Sequence, residues 1–411
     1  MSKNLLLFCY SLSKKDDYHF LINEIKFIKK DFEKIIIIPQ KKDDNEEDFT
    51  CHNIFINNSL CASYYKINYI LSSIFKILFC KYLWKEVFTI RDYIIKNLLL
   101  IFKERYKAEI LNKWVKTNKL DNQNNIFYSF WANHNLISFF LLKNENKKFK
   151  SFSRCLGSDL KGFTNNNNFV PFKNIKFKNL DFILILNEEQ KKILEDESLI
   201  DINRIRKNYL GIRKQDIKLS NYFIKNKIRI CSCGNLVNIK NTFAIIDFIK
   251  IFNNHKKKYE IEFMLIGKGP LQKEIEKYLN MNLKDHSYKY IDEVENLINF
   301  FKDNEIDLFI NLSYSEGMSF AVMEALSMSI PVICSNIPGN TEIVDSQNGY
   351  ILMNNDKEQM KKLSIKILND LDSQKLFLNK KYESLKTVEE IIDNKINSEK
   401  FINILKEHYN F

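Results

Sequence analysis

Two carboxylate residues, Glu316 and Glu324, have seven residues between them at a turn that leads into a predicted helix. Free N–H groups at a helix N-terminus attract anions, and the helix dipole adds to that attraction. Glu324 would lie about 12 Å further along, at roughly 1.5 Å per helical residue. Carboxylates accept hydrogen bonds from paired hydroxyl groups, so this spacing suits two parts of one extended ligand. A solvated helix whose glutamates only aid solubility is the alternative, and spacing alone leaves it open.

The elements that must position these carboxylates are predicted from the flanking apolar runs. Asp307–Asn311 and Pro331–Cys334 are short, apolar and bounded by polar residues, which favours buried strands. Between them, Ser319 is predicted to cap a helix. The apolar positions of that helix include Phe320, Val322, Met323 and Leu326. Strand, turn, helix and strand in this order are typical of a parallel sheet.

Residues 313–352 carry Glu316, Glu324, Pro331-Val332, Glu342-Ile343-Val344 and Asn348-Gly349-Tyr350. Together these residues resemble the donor-binding signature of family 4 glycosyltransferases, the retaining GT-B group. Residues 233–240 resemble the glycine-to-lysine loop of that family, which faces the donor diphosphate. Residues 265–270 resemble its second strand end, and residues 291–314 resemble the helix and strand that lead to the signature. The resemblance covers about residues 225 to 355 with its motifs in order.

The resemblance implies a nucleotide diphosphate sugar as co-substrate, with no cofactor and no metal. Glu316 is the implied catalytic residue, which would orient the sugar hydroxyls. Lys240 and the N–H groups from Gly317 to Phe320 would stabilise the leaving diphosphate, and Glu324 would hold the ribose. The implied donor-binding residues are Gly234, Asn235, Lys240, Gly317, Met318, Ser319, Phe320 and Glu324.

Three positions depart from the pattern of the family. Asn235 stands where an arginine often follows the loop glycine, and Ser329 stands where a glycine is common before the strand. In the first domain, Leu156 stands where related members often place a histidine near the reacting sugar. The predicted acceptor-side residues are His19, Arg154 and Asp159. His19 would compensate for the missing histidine, and the alternative is that His19 has a purely structural role.

Length and periodicity predict two domains in the 411 residues. Strands are predicted at residues 4–9, 35–38, 126–130, 149–153 and 181–186, alternating with helices, which indicates a doubly wound sheet. We predict an N-terminal acceptor-side domain at 1–210, a linker at 211–226 and a nucleotide-sugar-binding domain at 227–385. The resemblance implies that residues 386–411 form a helix crossing back to the first domain. The predicted class is α/β, and the resemblance implies a GT-B fold of two Rossmann-like domains facing a central cleft.

Residues 51–120 are basic and rich in aromatic residues. They contain 12 Lys or Arg residues against 4 Asp or Glu residues, part of a formal net charge of +12 for the whole chain. Basic residues interleaved with apolar ones in helical patterns favour a surface that binds anionic lipid. A core helix pair with a basic solvent face is the alternative. We expect no nucleic-acid partner, because no zinc-finger, RRM or KH signature occurs.

Several classes of protein are disfavoured by the sequence. The eight cysteines form no Cys-x-x-Cys pair, and Cys9, Cys231, Cys233 and Cys334 fall in or beside apolar runs, which favours buried, reduced thiols. The six histidines do not cluster, so no metal site is expected. The apolar run 4–10 is short and lacks a cleavage site, and no run of eighteen apolar residues occurs. We expect a cytoplasmic protein, and any contact with the cytoplasmic membrane would be peripheral, on its inner face.

The resemblance therefore implies a metal-independent retaining hexosyltransferase of bacterial surface polysaccharide synthesis (lipopolysaccharide, capsule or exopolysaccharide). Its partners would be a UDP- or GDP-sugar donor and a glycan or lipid-linked acceptor. A catalytically lapsed GT-B subunit that scaffolds a membrane polysaccharide complex is the alternative, motivated by Asn235 and Leu156. A nucleotide-sugar epimerase on the same fold is a further alternative, for which the first domain offers no convincing acid/base pair.

Overall fold

The computed structural model describes residues 3–13, 18–42, 52–64, 81–88, 94–162, 169–217, 219, 226–256, 258–284 and 286–409. The chain divides into two compact units. Unit 1 is Met1–Gly211 together with Asn397–Phe411, and unit 2 is Ile212–Ile396. Each unit is built around its own parallel sheet, which confirms the predicted α/β class.

The sheet of unit 1 contains seven strands within the described residues, in the order β3-β2-β1-β4-β5-β6-β7 and all parallel. They are β1 (Asn4–Cys9), β2 (Lys34–Pro39), β3 (Ile54–Ile56), β4 (Asn125–Ser129), β5 (Lys150–Arg154), β6 (Phe182–Ile185) and β7 (Ile205–Lys207). From β1 the order runs outward in both directions, so right-handed crossovers place helices on both faces. The five predicted strands correspond to β1, β2, β4, β5 and β6. The edge strands β3 and β7 were not predicted, because three residues are too few to show a pattern.

The helices of unit 1 cover this sheet. They are α1 (Tyr18–Ile28), α2 (Ser59–Ser63), α3 (Lys81–Val87), α4 (Ile94–Thr117), α5 (Asn135–Glu145), α6 (Gly157–Lys161), α7 (Lys173–Lys176) and α8 (Glu188–Asp196). Aromatic side chains fill the core between strands and helices: Phe127 lies 5.7 Å from both Phe8 and Phe139, measured between ring centroids. The Asn187 side chain accepts a hydrogen bond from the Gln190 N–H and so fixes the start of α8.

The sheet of unit 2 contains six parallel strands within the described residues, in the order β10-β9-β8-β11-β12-β13. They are β8 (Lys227–Cys233), β9 (Glu260–Ile266), β10 (Ser287–Ile291), β11 (Leu308–Asn311), β12 (Val332–Ser335) and β13 (Gly349–Leu352). β11 and β12 are the strands predicted on either side of the two glutamates. The strand order reverses between β8 and β11, the position at which doubly wound sheets open a crevice at the carboxyl ends of their strands.

The helices of unit 2 bury a core made mostly of Ile, Leu and Phe. They are α9 (Thr242–Asn254), α10 (Gln272–Leu283), α11 (Leu297–Asp303), α12 (Phe320–Ser327), α13 (Pro338–Thr341), α14 (Lys357–Asp372) and α15 (Gln374–Thr387). The Asp356 side chain accepts a hydrogen bond from the Gln359 N–H and caps α14. None of the helices in the described part of the chain has the length and hydropathy that crossing a membrane requires.

The last segment of the chain is a π-helical turn, Val388–Ile392, followed by α16 (Asn394–Tyr409). Within unit 1, the Phe401 ring of α16 lies 5.7 Å from the Tyr128 ring, and the Tyr409 hydroxyl donates to Asp181 at 3.0 Å. Within unit 2, Ile212 pairs with Asp393 in an isolated bridge. Part of the predicted linker, residues 218 and 220–225, lies outside the described residues.

Candidate active site at the carboxyl edge of the second sheet

The predicted donor-binding residues cluster where β8 and β11 end, at the reversal of strand order in unit 2. Cys233 and Gly234 end β8 and begin the loop toward α9, and Lys240 closes a 3-10 turn, Asn238–Lys240, in that loop. From the neighbouring strand, the loop 312–319 follows β11 and carries Glu316 into α12. The sheet topology thus brings together two loops that are 76 residues apart in sequence, measured from Lys240 to Glu316.

The carboxylate of Glu316 is held by three donors. Its Oε1 accepts hydrogen bonds from Lys240 Nζ at 2.6 Å and from Ser313 Oγ at 2.7 Å. The amide of Asn311 adds a longer contact at 3.4 Å. The Glu316 side chain is 10% exposed and that of Lys240 is 28% exposed, so the ion pair opens to solvent on the lysine side. A carboxylate and an ammonium group are therefore preorganised side by side at the crevice.

The loop that carries Glu316 is fixed through its backbone. Ser335 Oγ donates to the Ser313 carbonyl at 2.6 Å, and the Tyr314 N–H donates to the Ile239 carbonyl at 2.8 Å. Gly339 packs directly on the turn, since a Cβ there would lie 2.3 Å from the Glu316 carbonyl oxygen. Any side chain at 339 would displace Glu316. Gly339 was not predicted as a site residue, because the sequence around a glycine inside α13 does not indicate that it contacts a distant turn.

The Lys240 loop is fixed in the same way. Asn241, with a φ of +53°, turns the chain into α9, and its Nδ2 donates to the Leu312 carbonyl at 3.1 Å. Gly267 at the end of β9 has a φ of +156°, and a Cβ there would lie 2.0 Å from the Gly234 carbonyl oxygen. The predicted resemblance at residues 265–270 therefore coincides with a close backbone approach that requires glycine. Asn235 itself is exposed.

Glu324 lies in the second turn of α12 and is half-buried. Burial raises the pKa of its carboxyl group to about 8. Burial also raises the pKa of the Cys233 thiol to about 12, with a further rise from the Glu324 charge and an opposing effect from Lys240. Glu324 and Lys240 each act electrostatically on Cys233, so each of them lies near the end of β8. An ionised Glu324 there would favour a ligand that donates hydrogen bonds.

The turn from Gly317 to Phe320 leads into α12 as predicted. Ser319 occupies the N-cap position in an extended conformation, with no hydrogen bond from its side chain to the helix. Its Oγ instead accepts a 3.4 Å hydrogen bond from Asn311 Nδ2. Met318 and Ser319 are buried, at 7% and 5% exposure. The prediction that Ser319 is the N-cap residue is confirmed, although its side chain makes no hydrogen bond to the helix.

The predicted acceptor-side residues of unit 1 have a different environment. Arg154 is fully buried, and its guanidinium donates to Glu24 Oε2 at 2.6 Å, to the Asn208 carbonyl at 2.6 Å and to Asn208 Oδ1 at 2.9 Å. Its Nε donates to the Tyr128 hydroxyl at 3.1 Å. With no exposed surface, Arg154 offers nothing to an acceptor in this structure. The assignment is corrected: Arg154 joins β5 to α1, β4 and the segment after β7.

Asp159 also faces the protein interior. Its Oδ2 accepts hydrogen bonds from the Leu156 N–H at 2.8 Å and the Ala132 N–H at 3.0 Å. Burial raises the pKa of Asp159 to about 6, against the effect of those two hydrogen bonds. Asp159 thus anchors the loop after β4 to α6, which is a structural position. The side chain of His19 lies outside the described part of the structure, so its predicted role stays a prediction.

The basic, aromatic stretch of unit 1 divides into a buried and an exposed part. Trp114 is buried in the core, whereas Trp84, Phe88 and Leu99 are 43%, 84% and 66% exposed. The buried Trp114 fits the interpretation of a helix packed on the core, whereas binding of anionic lipid by the exposed residues stays a prediction. Residues 65–80 and 89–93, which belong to the same prediction, lie outside the described residues. Across the described residues, no group of three or more His, Cys, Asp or Glu side chains is arranged to hold a metal ion.

The site lies in a part of the chain that matches a known protein family. Residues 214–384, which lie in unit 2, match the family model "Glycosyl transferases group 1". An uncharacterized glycosyltransferase of Methanocaldococcus jannaschii is 25% identical over 213 residues, 49% of this chain and 53% of that protein. CapJ of Staphylococcus aureus is 31% identical over 147 residues, 35% of this chain and 36% of that protein. The chain thus spans about half or less of the length of these curated relatives.

A further relative has a name that states its donor and acceptor. The UDP-Gal:alpha-D-GlcNAc-diphosphoundecaprenol alpha-1,3-galactosyltransferase of Escherichia coli is 26% identical over 204 residues, 46% of this chain and 51% of that enzyme. Among solved structures, HepE of Anabaena in complex with UDP and glucose matches with a TM-score of 0.69 at 12% identity, over 98% of this chain and 100% of HepE. A glycosyltransferase of Rickettsia africae matches with a TM-score of 0.66 at 13% identity, over 99% of each chain. These likenesses over whole chains confirm the predicted GT-B fold.

Proposed function

We propose that the protein is a retaining glycosyltransferase that transfers a hexose-type sugar from a nucleotide diphosphate sugar to a glycan or lipid-linked acceptor in bacterial surface polysaccharide synthesis. The observation that carries this proposal is the Lys240–Glu316 ion pair at the strand-order reversal of unit 2. The match of residues 214–384 to the glycosyl transferase family supports it independently of the ion pair. The names of the E. coli relative and of HepE make a UDP-sugar the first donor to test.

Lys240 is the cation available to the donor diphosphate in this proposal. Its ammonium group has three N–H donors, and Glu316 takes one of them at 2.6 Å. The others can reach a phosphate oxygen on the exposed side of the pair without loss of the contact to Glu316. As the bond between sugar and diphosphate breaks, negative charge grows on the leaving group. A preorganised cation stabilises that charge more than it stabilises the bound substrate. In this proposal no divalent metal is needed for the same task.

Glu316 would act on the sugar. Three donors from Lys240, Ser313 and Asn311 converge on Oε1, which fixes the orientation of the carboxylate. A fixed carboxylate can accept hydrogen bonds from the sugar hydroxyls and favour the positive charge that develops at the anomeric carbon. Glu324, near the end of β8, would accept the ribose hydroxyls. We assign no nucleophile to the retaining step.

Binding of the donor can be tested first without an acceptor. We would measure the melting temperature of the full chain with UDP, GDP, ADP, CMP and their sugar conjugates, with and without EDTA. A ligand that binds only the folded protein raises the melting temperature by mass action. We expect a shift with one nucleotide family that persists in EDTA and is reduced in Glu324→Ala. No shift with any nucleotide would contradict the donor site and would favour the alternative of a lapsed scaffold subunit. A shift that EDTA abolishes would contradict metal independence alone.

Access to a lipid-linked acceptor would be aided by a peripheral contact with anionic membrane. Helices α3 and α4 expose large apolar side chains beside lysines, a composition that favours an anionic lipid surface. The exposed residues are Trp84, Phe88, Ile94, Ile95 and Leu99, beside Lys81, Lys85, Lys96 and Lys103. Phe88 directly follows α3 and its N–H donates to the Trp84 carbonyl at 3.0 Å, so the two residues, four apart, share one face.

The membrane contact is tested by flotation with vesicles of phosphatidylcholine with and without phosphatidylglycerol. We expect binding only to the anionic vesicles, weaker at high salt because of screening. The double substitution Trp84→Ser and Phe88→Ser should reduce binding about tenfold or more. Met281→Ser, which changes a similarly exposed side chain on α10 of unit 2, should leave it unchanged. Equal loss in both variants, or no binding at low salt, would contradict the proposed surface.

A further inference from the structure

A cavity of about 450 Å³ lies in unit 2 between the end of α14, the helix α15 and the loop that precedes β13. It is lined by polar and aromatic side chains, among them Gln347, Asp370, Asn379, Lys380, Tyr382 and Glu383. This volume falls in the range of small-ligand sites, which is about 300–1,000 Å³. None of the lining residues belongs to the donor site described above.

The cavity and the donor site lie at opposite edges of the second sheet. Gln347 belongs to the loop that enters β13, whose first residue is Gly349, so this loop is at the amino edge. Glu316 and Lys240, in contrast, belong to loops that follow the carboxyl ends of β11 and β8. Because all described strands of this sheet are parallel, the two edges are separated by the length of the strands.

The cavity wall is preorganised by hydrogen bonds between the loop and α15. Lys380 is 7% exposed, and its ammonium donates to the carbonyls of Ser346 and Gly349. Nζ also lies 4.6 Å from the centroid of the Tyr350 ring. Asn348 donates through Nδ2 to Thr387 Oγ1 at 2.8 Å. A loop held at both ends in this way keeps its shape in the absence of ligand, which lowers the entropic cost of binding.

The chemistry of the lining favours a neutral, hydroxyl-rich ligand. Asp370 and Glu383 supply carboxylate acceptors, and the amides of Gln347 and Asn379 supply both donors and acceptors. Lys380 is the cation of the lining, and its ammonium is already directed at two backbone carbonyls. Glu383 forms an ion pair with Lys386 at 3.7 Å, so Asp370 is the carboxylate that would repel an anion such as a phosphate group. The Tyr382 ring, 49% exposed, offers an apolar face with a polar rim.

We propose that this amino-edge cavity binds a short segment of neutral oligosaccharide, as a second carbohydrate site separate from the donor site. The Tyr382 ring would stack on one sugar face, while Asp370 and Asn379 would bind neighbouring hydroxyl groups. This proposal does not depend on transferase activity, since it rests on the cavity alone. In an active transferase, such a site would retain a growing neutral glycan on the enzyme.

The proposal is tested by saturation-transfer NMR on the full chain with maltotriose, cellotriose and chitotriose, and with a heparin tetrasaccharide as the anionic comparison. We expect a signal with at least one neutral trisaccharide that also persists in saturating UDP. Tyr382→Ser and Asp370→Ala should each weaken that binding about tenfold or more. Glu316→Gln, which alters the donor site, should leave it unchanged.

Three results would overturn the proposal. They are the absence of signal with all three neutral trisaccharides, a stronger signal with the heparin fragment, and binding that survives Tyr382→Ser in a variant with unchanged melting temperature. A parallel titration of the same variants with UDP keeps the two sites apart. If UDP binds while the trisaccharides do not, this proposal fails and the proposed function stands. If a neutral trisaccharide binds while no nucleotide does, this proposal stands and the proposed function fails.

Discussion

Unit 1 and unit 2 have the same order of strands in their sheets, but the ion pairs Arg154–Glu24 and Lys240–Glu316 differ in their exposure to solvent. In unit 1, Arg154 and Glu24 are 0% and 9% exposed, and the guanidinium donates to Glu24, Asn208 and Tyr128. In unit 2, Lys240 and Glu316 are 28% and 10% exposed, at the carboxyl ends of two neighbouring strands where the strand order reverses. A buried pair satisfied on all sides stabilises a fold, whereas a pair with an open side can exchange a partner for a ligand. The two ion pairs have the same N–O distance of 2.6 Å, so the exposure of the cation is what distinguishes them.

The largest expected effect comes from breaking the buried pair. Arg154→Met leaves the Glu24 carboxylate buried without its cation, which typically costs about 3–5 kcal/mol. We expect the free energy of unfolding to fall by roughly that amount in urea titrations. The double variant with Glu24→Leu should recover most of the loss, because no unpaired charge remains. If Arg154→Met instead left stability unchanged and weakened acceptor binding, the structural assignment of Arg154 would be wrong.

Breaking the open pair should affect turnover and leave stability largely unchanged. Glu316→Gln keeps the size of the side chain and removes its charge, so we expect kcat to fall about 10²- to 10³-fold, the usual loss when one preorganised electrostatic group is removed. The melting temperature should change little. Glu305→Gln is the matched control, since Glu305 pairs with Arg229 at the surface of the same unit. Turnover that persists in Glu316→Gln would remove Glu316 from the catalytic role.

The sequence predicted unit 2 better than unit 1, and the reason lies in what each site requires. Glu316, Lys240 and Glu324 were predicted from a family resemblance in loops beside strand ends, and the structure brings Glu316 and Lys240 into contact. Arg154 was misassigned because a buried arginine and a ligand-binding arginine look the same in sequence, and only the distant partners Glu24 and Asn208 distinguish them. Gly339 was missed for a related reason, since its contact with Glu316 depends on how α13 packs. Long-range packing decides such cases, whereas local patterns predicted β1, β2, β4, β5 and β6.

A smaller effect should come from Glu324, whose carboxyl group is half-buried and acts electrostatically on the Cys233 thiol. Burial raises its pKa from 4.5 to about 8 in the folded protein. Between these values the folded state binds more protons than the unfolded state, so stability should fall as the pH rises from 4.5 to 8. We expect Glu324→Gln to remove this slope and to be more stable than wild type at pH 8, by on the order of 1–3 kcal/mol.

Two different substitutions at Glu324 separate stability from ligand binding. If Glu324 accepts the ribose hydroxyls, Glu324→Ala should weaken nucleotide binding about tenfold, equal to about 1.4 kcal/mol. Urea titrations at pH 5 and pH 8 measure the first effect, and calorimetric titration with the nucleotide measures the second. A stability difference between Glu324→Gln and wild type that does not vary with pH would contradict the raised pKa. An unaltered dissociation constant would argue against the ribose contact.

The smallest expected effect is at Ser329, which stands where the family commonly has glycine. Ser329 is fully buried with a φ of +60°, a left-handed conformation that costs a non-glycine residue roughly 1 kcal/mol. Its Oγ, however, donates to the Lys381 carbonyl at 2.7 Å, and a buried hydrogen bond contributes about 1 kcal/mol.

These two terms oppose each other in Ser329→Gly, since glycine relieves the backbone strain and loses the hydrogen bond. We expect a change in the free energy of unfolding within about 0.5 kcal/mol of zero, and Ser329→Ala should be about 1 kcal/mol less stable than Ser329→Gly because alanine loses the bond and keeps the strain. Urea titration of both variants measures the difference, and nucleotide binding should be unchanged in each. A glycine variant clearly more stable than wild type would show that the hydrogen bond contributes little. In that case the departure at Ser329 would be uncompensated strain in the turn that ends α12 and enters β12, within the half of the molecule that carries the ion pair open to ligand.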